Sequence, residues 1–169
     1  APGTAVKEAY DTSGIVTNDR GVTVWLKGNR VSRNQIMAIK EESVTEQKNS
    51  LAVCLDNILR HAGITRNTEY DLAQGKTATT ILSENMTGVQ VLDLSGCTLD
   101  AVLYYVNQDI PVLAILEDGE AVLVTGFNEF NVVIMEPSTG KLYKKGMNDA
   151  TAWFAENGNH FITYMRTEN

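Results

Sequence analysis

The sequence predicts an α+β domain in which a central helix packs on an antiparallel sheet. Three observations carry that expectation. Apolar residues recur at helical spacing early in the chain, most clearly over 50–62. From 111 onward they fall into short apolar stretches separated by turn residues. Helices precede a meander of strands, which is the order of an α+β chain and not of alternating βα units. The 169 residues suit one domain, and with 43% hydrophobic and 21% charged residues the chain can bury a core instead of staying disordered.

Residues 1–44 read as a linker and an N-terminal extension made of a short strand and a helix. The stretch 22–26 alternates like a strand, and 27–30 closes it as a turn. Ser32 then caps an expected helix carrying Ile36, Met37 and Ile39. The polar stretch 41–49 reads as a connection. In the main helix, Leu51, Cys54, Leu55, Ile58, Leu59 and Ala62 form one apolar face. Asn49 or Ser50 supplies its N-cap and Gly63 its stop.

Downstream, 77–84 suggests another helix, 89–94 a strand, and 99–107 a helix capped by Thr98. Strands are expected at 111–116, 121–125 and 131–135. The links 117–119 and 126–129 have hairpin chemistry. Further strands at 143–145 and 160–165 bracket a short helix at 149–155. No repeat and no low-complexity segment is visible.

Charge excludes several functions. The net charge of −7 comes with no stripe of Lys or Arg, which argues against nucleic acid and anionic membrane as partners. No apolar run is long enough to span a bilayer. The two cysteines, Cys54 and Cys97, rule out a disulfide-dense scaffold and a four-thiolate zinc site. They read as buried free thiols, with a disulfide as the alternative in an oxidising compartment. The sequence opens on Ala-Pro-Gly-Thr without a signal-like segment, which reads as a domain cut from a longer protein. Nothing in the sequence speaks to oligomeric state.

The order of the later pieces carries a resemblance. Asn49, Ser50, Leu51, Ala52, Val53, Cys54 and Leu55 run into an apolar stretch ending at Gly63. The strand Ile110, Pro111, Val112, Leu113 and Ala114 follows, then Glu120 and an apolar strand reaching Gly126, then Glu136 and Pro137. Over about 45–165 this resembles the papain-like cysteine peptidases that remove double-glycine leaders from bacteriocin precursors. It also resembles their inactive relatives fused to export transporters. The resemblance implies a papain-like fold over 45–169, thiol-dependent peptide hydrolysis as the family activity, and a bacterial source.

Placed on this chain, the family pattern puts Ser50 where the nucleophilic Cys belongs, Glu120 where the His belongs, and Glu136 where the orienting Asp belongs. The position of the oxyanion-stabilising Gln falls on Val44, with Gln47 nearby. Such enzymes need a thiolate at a helix N-terminus paired with an imidazole. A serine next to a carboxylate lacks a strong base. Cys54 is the fallback nucleophile, but it lies on the apolar face and would shorten the spacing to Gly63. His61 sits about 10 Å along the helix from Cys54 at 1.5 Å per residue, and His160 lies outside the motif.

The residues also have plain structural readings. Ser50 is most simply an N-cap, Glu120 a solvated turn residue, and Glu136 a partner for the Ser138, Thr139, Gly140 turn. Trp25, Trp153, Phe154, Tyr104 and Tyr105 read as packing. The expectation is therefore a noncatalytic peptidase-like domain that binds a peptide or protein segment through Gln47, Asn49, Ser50, Glu120 and Glu136. Unpaired N–H groups of the helix N-terminus are expected to help. No catalytic residue, metal or cofactor is expected. An extracellular or membrane-associated place within a longer bacterial protein is expected, with a cytoplasmic one left open. The alternatives are an active cysteine peptidase using Cys54 and a purely structural domain.

Overall fold

A computed structural model describes residues 15–17, 23–26, 35–36 and 49–167. Three short strands come first: β1 (Ile15–Thr17), β2 (Thr23–Leu26) and β3 (Gln35–Ile36). They are followed by helices α1 (Ser50–His61), α2 (Glu69–Ala73) and α3 (Ala78–Asn85), strand β4 (Val89–Asp93) and helix α4 (Leu99–Val106). Strands β5 (Val112–Ile115), β6 (Ala121–Phe127), β7 (Asn131–Glu136) and β8 (Lys141–Gly146) form the meander. Helix α5 (Met147–Glu156) and strand β9 (His160–Arg166) end it.

The main sheet is antiparallel, in the order β4-β9-β5-β6-β7-β8. The last strand does not extend the meander. It inserts between β4 and β5, so Ile162 pairs with both Asp93 and Leu113. Strand β6 is buried at all seven positions, and both α1 and α4 pack against it. Helix α1 packs with α3, and α4 with α5, so the sheet is covered on both faces. At Thr125 the β6–β7 register slips, because Val124 faces Ile134 while Gly126 already faces Val133. This bulged residue is buried, and its hydroxyl donates to the Val133 carbonyl at 3.4 Å.

Helix α1 is the support the apolar periodicity indicated. Cys54, Leu55, Ile58 and Leu59 are fully buried in the core, and burying each aliphatic side chain stabilises by about 1.5–3 kcal/mol. The helix stops at Gly63, whose φ is +85°. The Ile64 N–H donates to the Leu59 carbonyl at 2.8 Å and that of Gly63 to Arg60 at 2.9 Å. That pair of bonds is the Schellman closure a left-handed glycine permits.

Several expectations need correction. Gln35–Ile36 is extended, where a helix was expected, because it pairs antiparallel with Phe127 and Gly126 of β6. The link expected at 126–129 begins two residues later. Phe127 is buried and remains in the ladder, and the turn is made by Asn128, whose Oδ1 accepts from the N–H groups of Phe130 and Asn131. Helix α2 is not anticipated, since it is short and largely polar. The turn at 27–30 and the residues Ser32, Met37 and Ile39 lie outside the described residues.

Candidate functional site

The N-terminus of α1 meets the start of β6. Asn49 is the N-cap: its Oδ1 accepts from the N–H groups of Leu51 at 2.9 Å and Ala52 at 3.3 Å. Ser50 is therefore the first helical residue and not the cap. Its Oγ instead accepts from the Ala121 backbone N–H at 2.9 Å, across 71 residues of sequence. Two first-turn N–H groups are thus already bonded to Asn49, which corrects the expectation that they stand open to a ligand. The half-buried Ser50 hydroxyl ties the helix to the sheet.

The structure brings three aligned positions to this region. Glu120 directly precedes Ala121, is exposed, and closes a turn in which its N–H donates to Asp118 Oδ1 at 2.9 Å. Gly119, at φ +86°, allows that turn. Glu136 ends β7, and its Oε1 accepts from the Ser138 N–H at 3.1 Å and the Ser138 hydroxyl at 3.0 Å. Its backbone carbonyl accepts from Gly140 at 2.8 Å. Glu136 thus organises the 136–140 turn, and its charge acts on the Cys54 thiol one turn into α1. Gln47 and Val44 lie outside the described residues.

Cys54 is fully buried, and burial followed by the Glu136 charge pushes its thiol far above the ordinary range. A thiol held protonated this way is a poor nucleophile at neutral pH. Cys54 and Cys97 are both buried and form no disulfide.

Neither histidine is hydrogen-bonded to Ser50 or Cys54. The Nε2 of His61 lies 3.0 Å from the Asp109 backbone carbonyl and 3.9 Å from its Oδ2, at the opposite end of α1. His160 starts β9 opposite Ile115, which in turn pairs with Ala121. His160 is therefore two strand spacings from the start of β6, about 10 Å. Among the described residues no group of His, Cys, Asp and Glu could hold a metal ion, and no helix is long and apolar enough to cross a membrane.

Sequence reasoning missed a buried polar junction beneath α1. Asp56 Oδ1 accepts from both the N–H and the hydroxyl of Thr68 at 2.8 Å. Thr68 Oγ1 lies 3.2 Å from the Ala52 carbonyl as well. Asp71, also buried, holds Arg66 at 2.8 Å. The signal in the sequence is a single carboxylate set among the apolar positions of a helix, which only a buried partner tolerates.

No family model and no curated protein matches the chain. Among solved structures, the chain is similar to a crystal structure from Bacillus anthracis described as a "putative C39-like peptidase", with a TM-score of 0.65 and 12% identity over 79% of this chain and 98% of that one. At that identity the likeness is one of fold. The chain has a C39-like peptidase fold, an α+β papain-like arrangement of helix and antiparallel sheet.

Proposed function

We propose that this chain is a noncatalytic peptidase-like domain that binds an extended peptide or partner segment beside the N-terminus of α1. The observation that carries the reading is the Ser50 hydroxyl bonded to the Ala121 amide. On the alignment, that oxygen occupies the nucleophile position of double-glycine leader peptidases. A hydroxyl bonded to an amide, with the carboxylate of Glu120 preceding that amide and no imidazole hydrogen-bonded to it, has no acceptor basic enough to activate it. Cys54 does not substitute, because its thiol is buried and kept protonated.

A binding role rests on fold-level analogy to the inactive relatives of the family, since the fold survives loss of the reactive pair. The local chemistry adds a preference. Glu117, Asp118 and Glu120 are exposed around the start of β6 on a chain of net charge −7. They favour a segment carrying Lys or Arg. The domain serves as part of a longer bacterial surface or membrane-associated protein in this reading.

Titration of the isotope-labelled chain with a Lys-containing double-glycine leader peptide, followed by amide chemical shifts, tests the binding role. Saturable shifts are expected at 49–52, 117–121 and 136–138, weakening with salt. Absence of saturable shifts, or shifts confined elsewhere, contradicts the role.

A further inference from the structure

We propose that the chain has a second binding site, at the C-terminal end of α1, for a ligand that joins a carboxylate to a small apolar group. A cleft of about 590 Å³ opens there between the end of α1, the segment entering β4 and the end of β9. This volume is within the range of small-molecule sites. It is separated from Ser50 and Ala121 by the length of α1, about 18 Å at 1.5 Å per residue for its 12 residues. The inference does not rest on the proposed function.

The lining divides by chemistry. Ile64, Met86 and Val89 supply an apolar wall, with Met86 buried and Ile64 and Val89 packed on the core. Tyr164 is buried behind them, so the apolar surface open to a ligand is that of the half-buried Ile64 and Val89. Arg166 pairs directly with Val89 across the β4–β9 ladder, so its side chain leaves the same face beside this wall, and His61 lines the cleft from the end of α1. Arg166 is exposed at the end of β9 and forms no ion pair with any described residue. A guanidinium presents a planar fork of donors that matches a carboxylate.

The other charged group at this place is Asp109. It is engaged with His61, with Oδ2 at 3.9 Å from Nε2 and its backbone carbonyl at 3.0 Å. Asp109 holds a left-handed backbone, φ +66°, unusual for a residue with a side chain. The His61 ring is thereby fixed in orientation, and Arg166 is left as the cation that faces the cleft without a protein partner among the described residues. The wall is held too: the Thr167 N–H donates to the Gly88 carbonyl at 2.9 Å, extending the β4–β9 ladder past its last pair. A rigid apolar wall beside a free guanidinium suits a leucine-like carboxylate, either as a free acylated amino acid or as the C-terminal residue of a peptide.

The test uses the whole chain and three probes: N-acetyl-leucine, N-acetyl-leucinamide, and a tetrapeptide ending in Leu with a free C-terminus. Amide shifts are followed in each titration. N-acetyl-leucine is expected to give saturable shifts clustered at 61–64, 86–89 and 164–167, with the neutral amide at least about ten-fold weaker. Tighter binding of the tetrapeptide than of N-acetyl-leucine identifies a peptide terminus as the source, and the reverse a free small acid. Arg166→Gln, an exposed change, should weaken the acid about ten-fold and leave the amide unchanged. Equal binding of acid and amide, shifts scattered away from the cleft, or no saturation overturns the proposal. The acid-against-amide comparison stands even if the variant is poorly folded.

Discussion

The two ends of α1 are built on opposite principles. At the N-terminal end the polar groups are spent within the protein: Asn49 takes two first-turn N–H groups, and Ser50 takes the Ala121 amide. At the C-terminal end the backbone is closed just as fully by Gly63, yet a cleft and the Arg166 guanidinium remain beside it. The end that resembles a reactive site is a structural joint. The end without any sequence motif holds a cleft and a guanidinium, whereas the other end presents the carboxylates of Glu117, Asp118 and Glu120. The hydrogen bond that seats this helix on the sheet needs only an oxygen acceptor, which the Ser50 hydroxyl supplies.

The comparison breaks if the shared support beneath both ends is removed. Asp56→Ala leaves the buried Thr68 N–H without its acceptor and the Thr68 hydroxyl with only the Ala52 carbonyl. A loss of about 3 kcal/mol is expected in denaturant unfolding, with both ends of α1 losing hydrogen-exchange protection together. A loss under about 0.5 kcal/mol would show that the junction does not support the helix.

Alkaline titration sharpens the chemistry of the N-terminal half. The folded state raises the Cys54 thiol, so it holds its proton where the unfolded chain has released one. The stability due to that difference is complete below the unfolded thiol pKa, about 8.5, and declines as pH rises above it. The expected total loss is about 2 kcal/mol between pH 8 and 10, steepening with pH, read by urea unfolding. Tyr105, raised by burial, adds to the decline above about pH 10. Cys54→Ala should flatten the first part of the slope, and an unchanged slope would remove Cys54 from the account.

The smallest expected effects separate the two ends. Gly63→Ala meets no atom within 4 Å of the added Cβ, so its cost is the left-handed backbone alone, about 1 kcal/mol. Asn49→Ala removes the cap for a similar cost of about 1 kcal/mol. Thermal melts should show similar losses, while local exchange rises at 51–52 for Asn49→Ala and at 62–64 for Gly63→Ala. Exchange rising at both ends in either variant would show that the two ends open as one unit.

Much of this architecture was legible because periodicity reports burial. The face of Leu51, Cys54, Leu55, Ile58 and Leu59 marked α1, and the runs after Pro111 marked the meander. What stayed hidden depends on pairing between distant residues. Ile36 follows a helical pattern but is held extended by β6. Gly126 and Phe127 look like turn residues but lie in a buried ladder next to a bulge. The insertion of β9 between β4 and β5 leaves no local trace. At the site, the turn around Glu136 was readable from Ser138, Thr139 and Gly140. The Ser50 bond to Ala121 was not, since a backbone amide 71 residues away has no signature in side-chain type. The cleft at Arg166 is assembled from three separate segments and has no motif at all.

The most direct measurement is reaction of the native chain with iodoacetamide at neutral pH, read by mass spectrometry beside a leader-peptide cleavage assay. The account predicts that Cys54 and Cys97 stay unmodified until denaturant is added and that the peptide stays whole. Rapid alkylation of Cys54 in the folded protein together with peptide cleavage would contradict it.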